Sequence, residues 1–393
     1  MVEDVRQIFK KFAAGSTIFK SKDVLQMSYV PPKLLHREKE IKQLAAILAP
    51  ALRMEVPSNI FIYGRPGTGK TAVIRYVGDA LSGVAREEGK PVEFVYVNAG
   101  LNSDANTPYK LYAELSTYFG RPVPHTGLST SYVLETFIEA IDSEPRIVIL
   151  VIDEIDKLSK MNEILYTLSR INSSLRYARV SLVGVSNKLH ILKGVDARTR
   201  SSLSPEEIIF EPYNADQIRS ILEERSREAF LEGAFEENVL SFCAAYSAKL
   251  HGDLRRALDL LRVAGEIAER EGSLRVSESH IKKAISQMEE SKAVAIVRNL
   301  PIHSKLLLKS ILDREDVIYT GEVYSSYREL AEEVGVKPIS LRRVNDLLND
   351  LESLGLITFQ IVSRGRYGRT RVISSSIDID IKGKVLTVLD DVL

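Results

Sequence analysis

Up to about residue 210, short continuous apolar runs alternate with stretches of helical period. Asn59–Tyr63, Val92–Asn98, Ile147–Ile152 and Val180–Ser186 read as strands. Ile147–Ile152 carries no polar position, as expected of a strand buried on both faces in a parallel sheet covered by helices. Between them, Ala72–Val77 reads as helix, and 99–145 is mostly helical with a break at Gly120-Arg121-Pro122-Val123-Pro124. Ahead of the first strand, Glu3 to Phe12 forms a short amphipathic pattern (Val5, Ile8, Phe9, Phe12) suited to docking on the domain. Pro31-Pro32 forces extended chain, and His36-Arg37-Glu38-Lys39-Glu40 opens a helix through Leu44, Ile47 and Leu48.

From Glu211-Pro212-Tyr213 to about 290 the period is helical, with no strands of note. After that, helices are expected at Ile302–Leu312, Tyr327–Val334 and Ser340–Leu354. The last carries a core stripe of Leu341, Val344, Leu347, Leu348, Leu351 and Leu354 and is stopped by Gly355. Leu356–Val362 and Thr370–Ile373 then read as a hairpin around Ser363-Arg364-Gly365-Arg366-Tyr367-Gly368-Arg369. Three helices and a basic hairpin describe a winged helix-turn-helix. The expected organisation is α/β: a parallel-sheet domain over 1–210, an all-α domain over 211–290 and a winged helix over 291–393.

Composition changes this picture little. The 393 residues suit two or three domains, and 53 basic groups cancel 53 acidic ones, so only local clustering speaks to a polyanion partner. The single cysteine, Cys243, sits in an apolar run and reads as core packing. No apolar run is long enough to cross a bilayer, and the N-terminal residues carry early acids and no secretory apolar core. A soluble, cytoplasmic protein with no membrane partner is expected.

The chemistry begins at Gly64-Arg65-Pro66-Gly67-Thr68-Gly69-Lys70-Thr71-Ala72, which has the spacing of a phosphate-binding loop between a strand and a helix. Glycines let successive N–H groups approach phosphates, and the helix N-terminus adds positive potential. In that pattern Lys70 reaches the β- and γ-phosphates and the Thr71 hydroxyl serves Mg²⁺. Asp153 and Glu154 end the unbroken apolar strand, where open α/β sheets bind ligands. Asp153 would hold Mg²⁺ through water, and Glu154 would polarise the water that attacks the γ-phosphate. Asn187 ends the next strand, where an amide can bond the γ-phosphate or the attacking water. Arg198 and Arg200 lie in an expected loop, 196–203, and arginine can stabilise charge on a transferring phosphoryl group. Asp253 is an expected N-cap of the helix that presents Arg255 off its apolar stripe.

At the other end of the chain, Arg364, Arg366, Arg369 and Arg371 have no acid between them, and Tyr367 with its flanking glycines suits a minor groove. Base readout would come from Arg342, Arg343, Asn345 or Asn349 on the polar face of the third helix. A winged helix can also dock protein; the uninterrupted basic tip favours DNA.

Taken together, the phosphate loop, the Asp-Glu strand end, the strand-end Asn and Gly252-Asp253-Leu254-Arg255 resemble the AAA+ ATPases. With Pro57-Ser58-Asn59-Ile60, Asp196–Leu203, Phe210-Glu211-Pro212-Tyr213 and the C-terminal winged helix, nearly the whole chain is similar to the archaeal replication initiators. These are related to the origin recognition complex and its cell-division-cycle cousin. The resemblance implies an ATP/ADP switch using Mg²⁺, with Asn187 as sensor 1 and Arg255 as sensor 2. It implies nucleotide contacts from Tyr213 and Arg225, and a finger, Arg198 or Arg200, reaching a neighbouring subunit's ATP. It places a DNA-touching helical insertion near 102–127, holding Lys110 and Arg121. The implied partners are double-stranded origin DNA, the replicative helicase and sibling initiators. The alternatives are a helicase loader, or a signalling ATPase whose winged helix docks protein.

Overall fold

A computed structural model describes residues 17–26, 29–100, 106–124, 126–189, 191–314, 318–363, 369–377 and 379–392. The amphipathic pattern at 3–12 lies outside them. The chain divides into two compact units, Met1–Glu278 and Ser279–Leu393.

The first unit is built on a five-stranded parallel sheet of β1 (Ile60–Gly64), β2 (Val92–Asn98), β3 (Ile147–Asp153), β4 (Arg179–Ser186) and β5 (Glu206–Phe210), in the order β2-β3-β4-β1-β5. The unbroken apolar run in β3 has a direct cause. Val148, Leu150 and Ile152 pack on one face with α3 (Pro108–Tyr118), α4 (Thr130–Ile141) and α5 (Met161–Arg170). Ile147, Ile149 and Val151 pack on the other with α1 (Glu38–Leu48) and α2 (Lys70–Glu87). Successive side chains on a strand point to opposite faces, so a strand covered on both sides must be apolar throughout.

Two elements differ from expectation. β5 pairs with β1 at the sheet edge with Glu206, Glu207 and Ile209 exposed, so only two of its five positions, Ile208 and Phe210, are buried. Residues 197–203, expected as a loop, form the helix α6, capped by the Asp196 carboxylate accepting the Arg198 N–H at 3.2 Å.

Three helices follow: α7 (Ala215–Ala229), α8 (Val239–Lys249) and α9 (Leu254–Arg270). Asn214 and Gln217 form a reciprocal capping box at the start of α7. Cys243 is fully buried in this bundle, and burial pushes its thiol up to about 12, as packing rather than reactivity requires. The lead-in docks here. Phe19 packs at a tilt on Phe230 with ring centroids 4.4 Å apart, the Leu231 N–H donates to the Ile18 carbonyl at 2.9 Å, and Lys22 pairs with Glu269 at 2.9 Å.

The second unit takes in the long helix α10 (Glu278–Asn299), which starts at the division. Beyond it come α11 (Ile302–Leu312), α12 (Thr320–Glu333), α13 (Leu341–Ser353), the hairpin β7 (Ile357–Ser363) and β8 (Arg369–Ser375), and α14 (Ile379–Val392). A two-residue strand, β6 (Ile318–Tyr319), completes a sheet of order β6-β8-β7. The second helix starts at Thr320, earlier than the expected Tyr327, because the Glu322 carboxylate accepts the Tyr319 N–H at 3.0 Å and caps it. Val344, Leu347, Leu348 and Leu351 are buried as expected, whereas Leu341 and Leu354 at the two ends of the stripe are exposed. Gly355, at φ 73°, takes the left-handed conformation that ends α13.

Candidate nucleotide site and nucleic-acid surface

The parallel register brings the C-terminal ends of the strands to one edge: Asn98 lies opposite Asp153, and Tyr63 opposite Ser186, the residue before Asn187. The phosphate loop leaves β1 at this edge. Gly67 and Gly69 sit at φ 74° and 88°, where a side chain would be strained, and Gly69 caps α2. Lys70 is buried, and its ammonium donates to the Gly64 carbonyl at 2.7 Å, the Arg65 carbonyl at 2.9 Å and the Asn187 side-chain oxygen at 2.8 Å. Burial, and to a lesser degree the Arg255 charge, bring the Lys70 ammonium down to about 8 against the opposing pull of Asp153, Asp156 and Asp253. A cation held that way gains most from an anion within hydrogen-bond reach.

Asp153 is fixed from three sides. Its Oδ2 accepts the Thr71 hydroxyl at 2.8 Å and the Tyr96 hydroxyl at 2.7 Å, while its Oδ1 accepts the Glu154 N–H at 2.8 Å. Burial, with the nearby Asp153 charge, pushes the Tyr96 phenol up to about 12, so it remains a donor. Glu154 takes φ 53°, which turns its carboxylate into the space a Cβ on Gly100 would fill, beside Asn98. The Asn98 oxygen in turn accepts the Gly100 N–H at 2.8 Å.

The helical bundle closes on the loop from above. A Cβ on Gly67 would overlap the Asp253 carboxylate, and the Leu254 N–H reaches the Gly67 carbonyl at 3.4 Å. Asp253 caps α9 by accepting the Arg255 N–H at 3.0 Å, which leaves the Arg255 side chain exposed on the first turn. Tyr213 is buried with its hydroxyl against Gly69; a Cβ there would lie 2.8 Å from it.

Sequence patterns do not mark the residue that ties these parts together. Arg37 is buried, stacks on Tyr213 at 3.9 Å, and donates from Nε to the Thr68 carbonyl at 2.9 Å and from Nη2 to the Glu211 carbonyl at 2.7 Å. It also pairs with Glu40 at 3.1 Å. Tyr96, Asn98 and Asp156 are further site residues without a local motif; Asp156 accepts the Ser186 hydroxyl at 3.0 Å, one residue before Asn187. Arg225 is buried on the Tyr29 ring at 4.6 Å, and its Nη1 has no hydrogen-bond partner among the described residues. Arg198 and Arg200 are exposed on α6 on either side of buried Thr199, and among the described residues neither bonds to the loop. Pro66 is exposed and Ala72 half-buried beside the loop, and the buried Thr68 hydroxyl donates back to the Arg65 carbonyl at 2.8 Å.

In the second unit, Arg342 and Arg343 are exposed on α13, Arg343 within 3.8 Å of Asp346. Asn345 donates to the Leu341 carbonyl of its own helix at 3.0 Å. Arg371 donates to the Asn349 side-chain oxygen at 2.7 Å and lies 4.4 Å over the Phe359 ring, so it ties the hairpin to α13. Arg369 opens β8 opposite Ser363; Arg364, Arg366 and Tyr367 lie outside the described residues. In the first unit, Arg121, in the break after α3, pairs with Glu139 of α4. No helix among the described residues is long and apolar enough to cross a membrane.

Three family models match the chain in turn: an AAA domain over residues 53–192, a Cdc6 AAA+ ATPase-type lid domain over 219–286, and the CDC6 C-terminal winged helix domain over 295–383. The ORC1-type DNA replication protein 1 of Methanosarcina mazei is 47% identical over 386 residues, covering 96% of this chain and 92% of its own. The chain belongs to the ORC1-type DNA replication proteins. The Thermococcus kodakarensis member is 47% identical over 376 residues, covering 93% of this chain and 90% of its own. Among solved structures, the Aeropyrum pernix ORC1 protein in complex with DNA is 43% identical and superposes with a TM-score of 0.82, covering 96% of this chain and 100% of that one. This ORC1-type protein thus combines an AAA domain, a Cdc6-type lid and a winged helix, as its sequence led us to expect, and it is a replication initiator of the archaeal kind.

Proposed function

We propose that this ORC1-type protein binds ATP or ADP with Mg²⁺ at the Gly64–Thr71 loop and grips double-stranded origin DNA through its winged helix, with the bound nucleotide setting the lid. The observation that carries the nucleotide half is Lys70: a buried ammonium bonded to two loop carbonyls and Asn187, at the N-terminus of a helix. The residues fit the ligand. Gly67 and Gly69 leave the loop backbone uncovered at two positions, Lys70 and the N-terminus of α2 supply positive charge, and Thr71 with Asp153 supplies oxygens for the ion. Held by Thr71 and, through water, by Asp153, bound Mg²⁺ would neutralise charge on the phosphates.

The protein's own groups then divide the work. Lys70 and Asn187 face the terminal phosphate, Glu154 takes a proton from the attacking water, and Arg255 approaches from the lid. Tyr213 and Arg225 contact the rest of the nucleotide, and Arg198 or Arg200 reaches a neighbouring copy's site. For the DNA half, the Aeropyrum ORC1 protein was solved on DNA. Exposed Arg342 and Arg343 and the basic hairpin support the same partner here. Recruitment of the replicative helicase and pairing with sibling initiators on the nucleoid complete the reading.

Footprinting on origin-proximal DNA is the test. The expected result is protection of discrete duplex sites, weakened by Arg342→Ala with Arg343→Ala. No protection would contradict the DNA half and leave a protein-docking winged helix; uniform protection would keep the DNA partner and contradict its being origin sites.

A further inference from the structure

We propose that Tyr96 is a positioning residue for the divalent cation: its hydroxyl holds the Asp153 carboxylate in the one orientation that can receive a metal-held water. This rests on the nucleotide reading above.

An ionised carboxylate offers roughly four lone-pair sites. Asp153 Oδ2 takes the Thr71 and Tyr96 hydroxyls, at 2.8 and 2.7 Å, and Oδ1 takes the Glu154 N–H at 2.8 Å. One site remains, on Oδ1, and the bonds on Oδ2 prevent the group from turning about its own axis. Tyr96 is well placed for this role. It lies on β2, next to β3, two residues before the position that pairs with Asp153. Arg75 rests over its ring at 4.8 Å, and Arg75 follows Thr71 by one turn of the same helix. The helix that carries Thr71 therefore grips the carboxylate and its tyrosine together. Without the phenol, Oδ2 keeps one partner and gains a free site, and bulk water can compete to reorient the group.

The test is ADP binding to the full chain by calorimetry, with Mg²⁺ and again in EDTA, for the wild type, Tyr96→Phe and Arg75→Ala. Tyr96→Phe keeps the ring and its packing. The expected result is that the Mg²⁺-dependent gain in affinity falls about tenfold in Tyr96→Phe while affinity in EDTA changes by less than about twofold. Arg75→Ala should show a smaller loss in the same Mg²⁺-dependent part. Manganese resonance spectra of the ADP complex should report weaker Mn²⁺ binding in Tyr96→Phe. An unchanged Mg²⁺ dependence, or an equal loss in EDTA, overturns the assignment of Tyr96. A wild-type chain that binds no ADP at all overturns the nucleotide reading, and Tyr96 with it.

Discussion

Lys70 and Arg342 are both cations suited to phosphate, and the chain holds them in opposite ways. Lys70 is buried and bonded to three oxygens, in a loop whose backbone is fixed by glycine geometry and by Arg37. Arg342 stands exposed on a helix, with its neighbour Arg343 in reach of Asp346. The first arrangement suits one ligand in one pose: the ammonium is already placed by the Gly64 and Arg65 carbonyls and Asn187, and an arriving phosphate exchanges with one of those acceptors. The second suits a long polyanion met in many registers, where charge matters more than fine positioning. One site stores a state; the other supplies grip.

The sharpest way to break this contrast is to remove a buried guanidinium and an exposed one. Arg37→Met deprives the Thr68 and Glu211 carbonyls of their donor and should cost about 3 kcal/mol of stability, read by denaturant unfolding. Arg342→Ala should stay within about 0.5 kcal/mol. Equal effects would erase the distinction.

A second contrast is pH. Lys70 sits near 8 in the free protein, lowered first by burial and then by Arg255, with Asp153, Asp156 and Asp253 opposing. A phosphate bonded to the ammonium raises that value, so binding takes up a proton once the free ammonium begins to lose its own. Nucleotide affinity should hold below about pH 8 and fall above it by up to about tenfold per unit, until the bound-state value is reached. Arginine contacts to DNA should not change over that range. Calorimetry and fluorescence anisotropy from about pH 6 to about pH 9.5 check both halves.

Salt gives the third. Arg342→Ala with Arg343→Ala should flatten the log–log salt dependence of duplex binding by about 1.8, at roughly 0.9 per contact, and leave nucleotide affinity unchanged. The smallest effect belongs to Arg371, which the sequence offered as a DNA contact. Its Asn349 bond and Phe359 stacking predict that Arg371→Ala costs about 1 kcal/mol of stability and moves the salt slope less than the Arg342, Arg343 pair does.

What the sequence revealed follows from the same physics. The phosphate loop, the Asp153-Glu154 strand end and Asn187 were legible because each is a local pattern: a glycine spacing, or a polar residue ending an apolar run. The double-faced burial of β3 was legible for the same reason. Arg37 and Tyr96 were not, since the Thr68 carbonyl and the Asp153 carboxylate that give them their place in the site lie 31 and 57 residues away. β5 escaped because Glu206 and Glu207 leave this edge strand an apolar run of only three residues, Ile208-Ile209-Phe210. The 197–203 helix escaped because its Arg-Thr-Arg-Ser-Ser composition reads as a loop; only the Asp196 cap betrays it. Arg371 differs in emphasis, as composition counts charges without saying which are already paired.

The most direct test of the central claim is an ATP titration of the full chain with Mg²⁺ near neutral pH, for the wild type and Lys70→Ala. A preorganised phosphate site predicts saturable binding of one ATP per chain, weakened at least about a hundredfold by the substitution. Undiminished affinity in Lys70→Ala would contradict it.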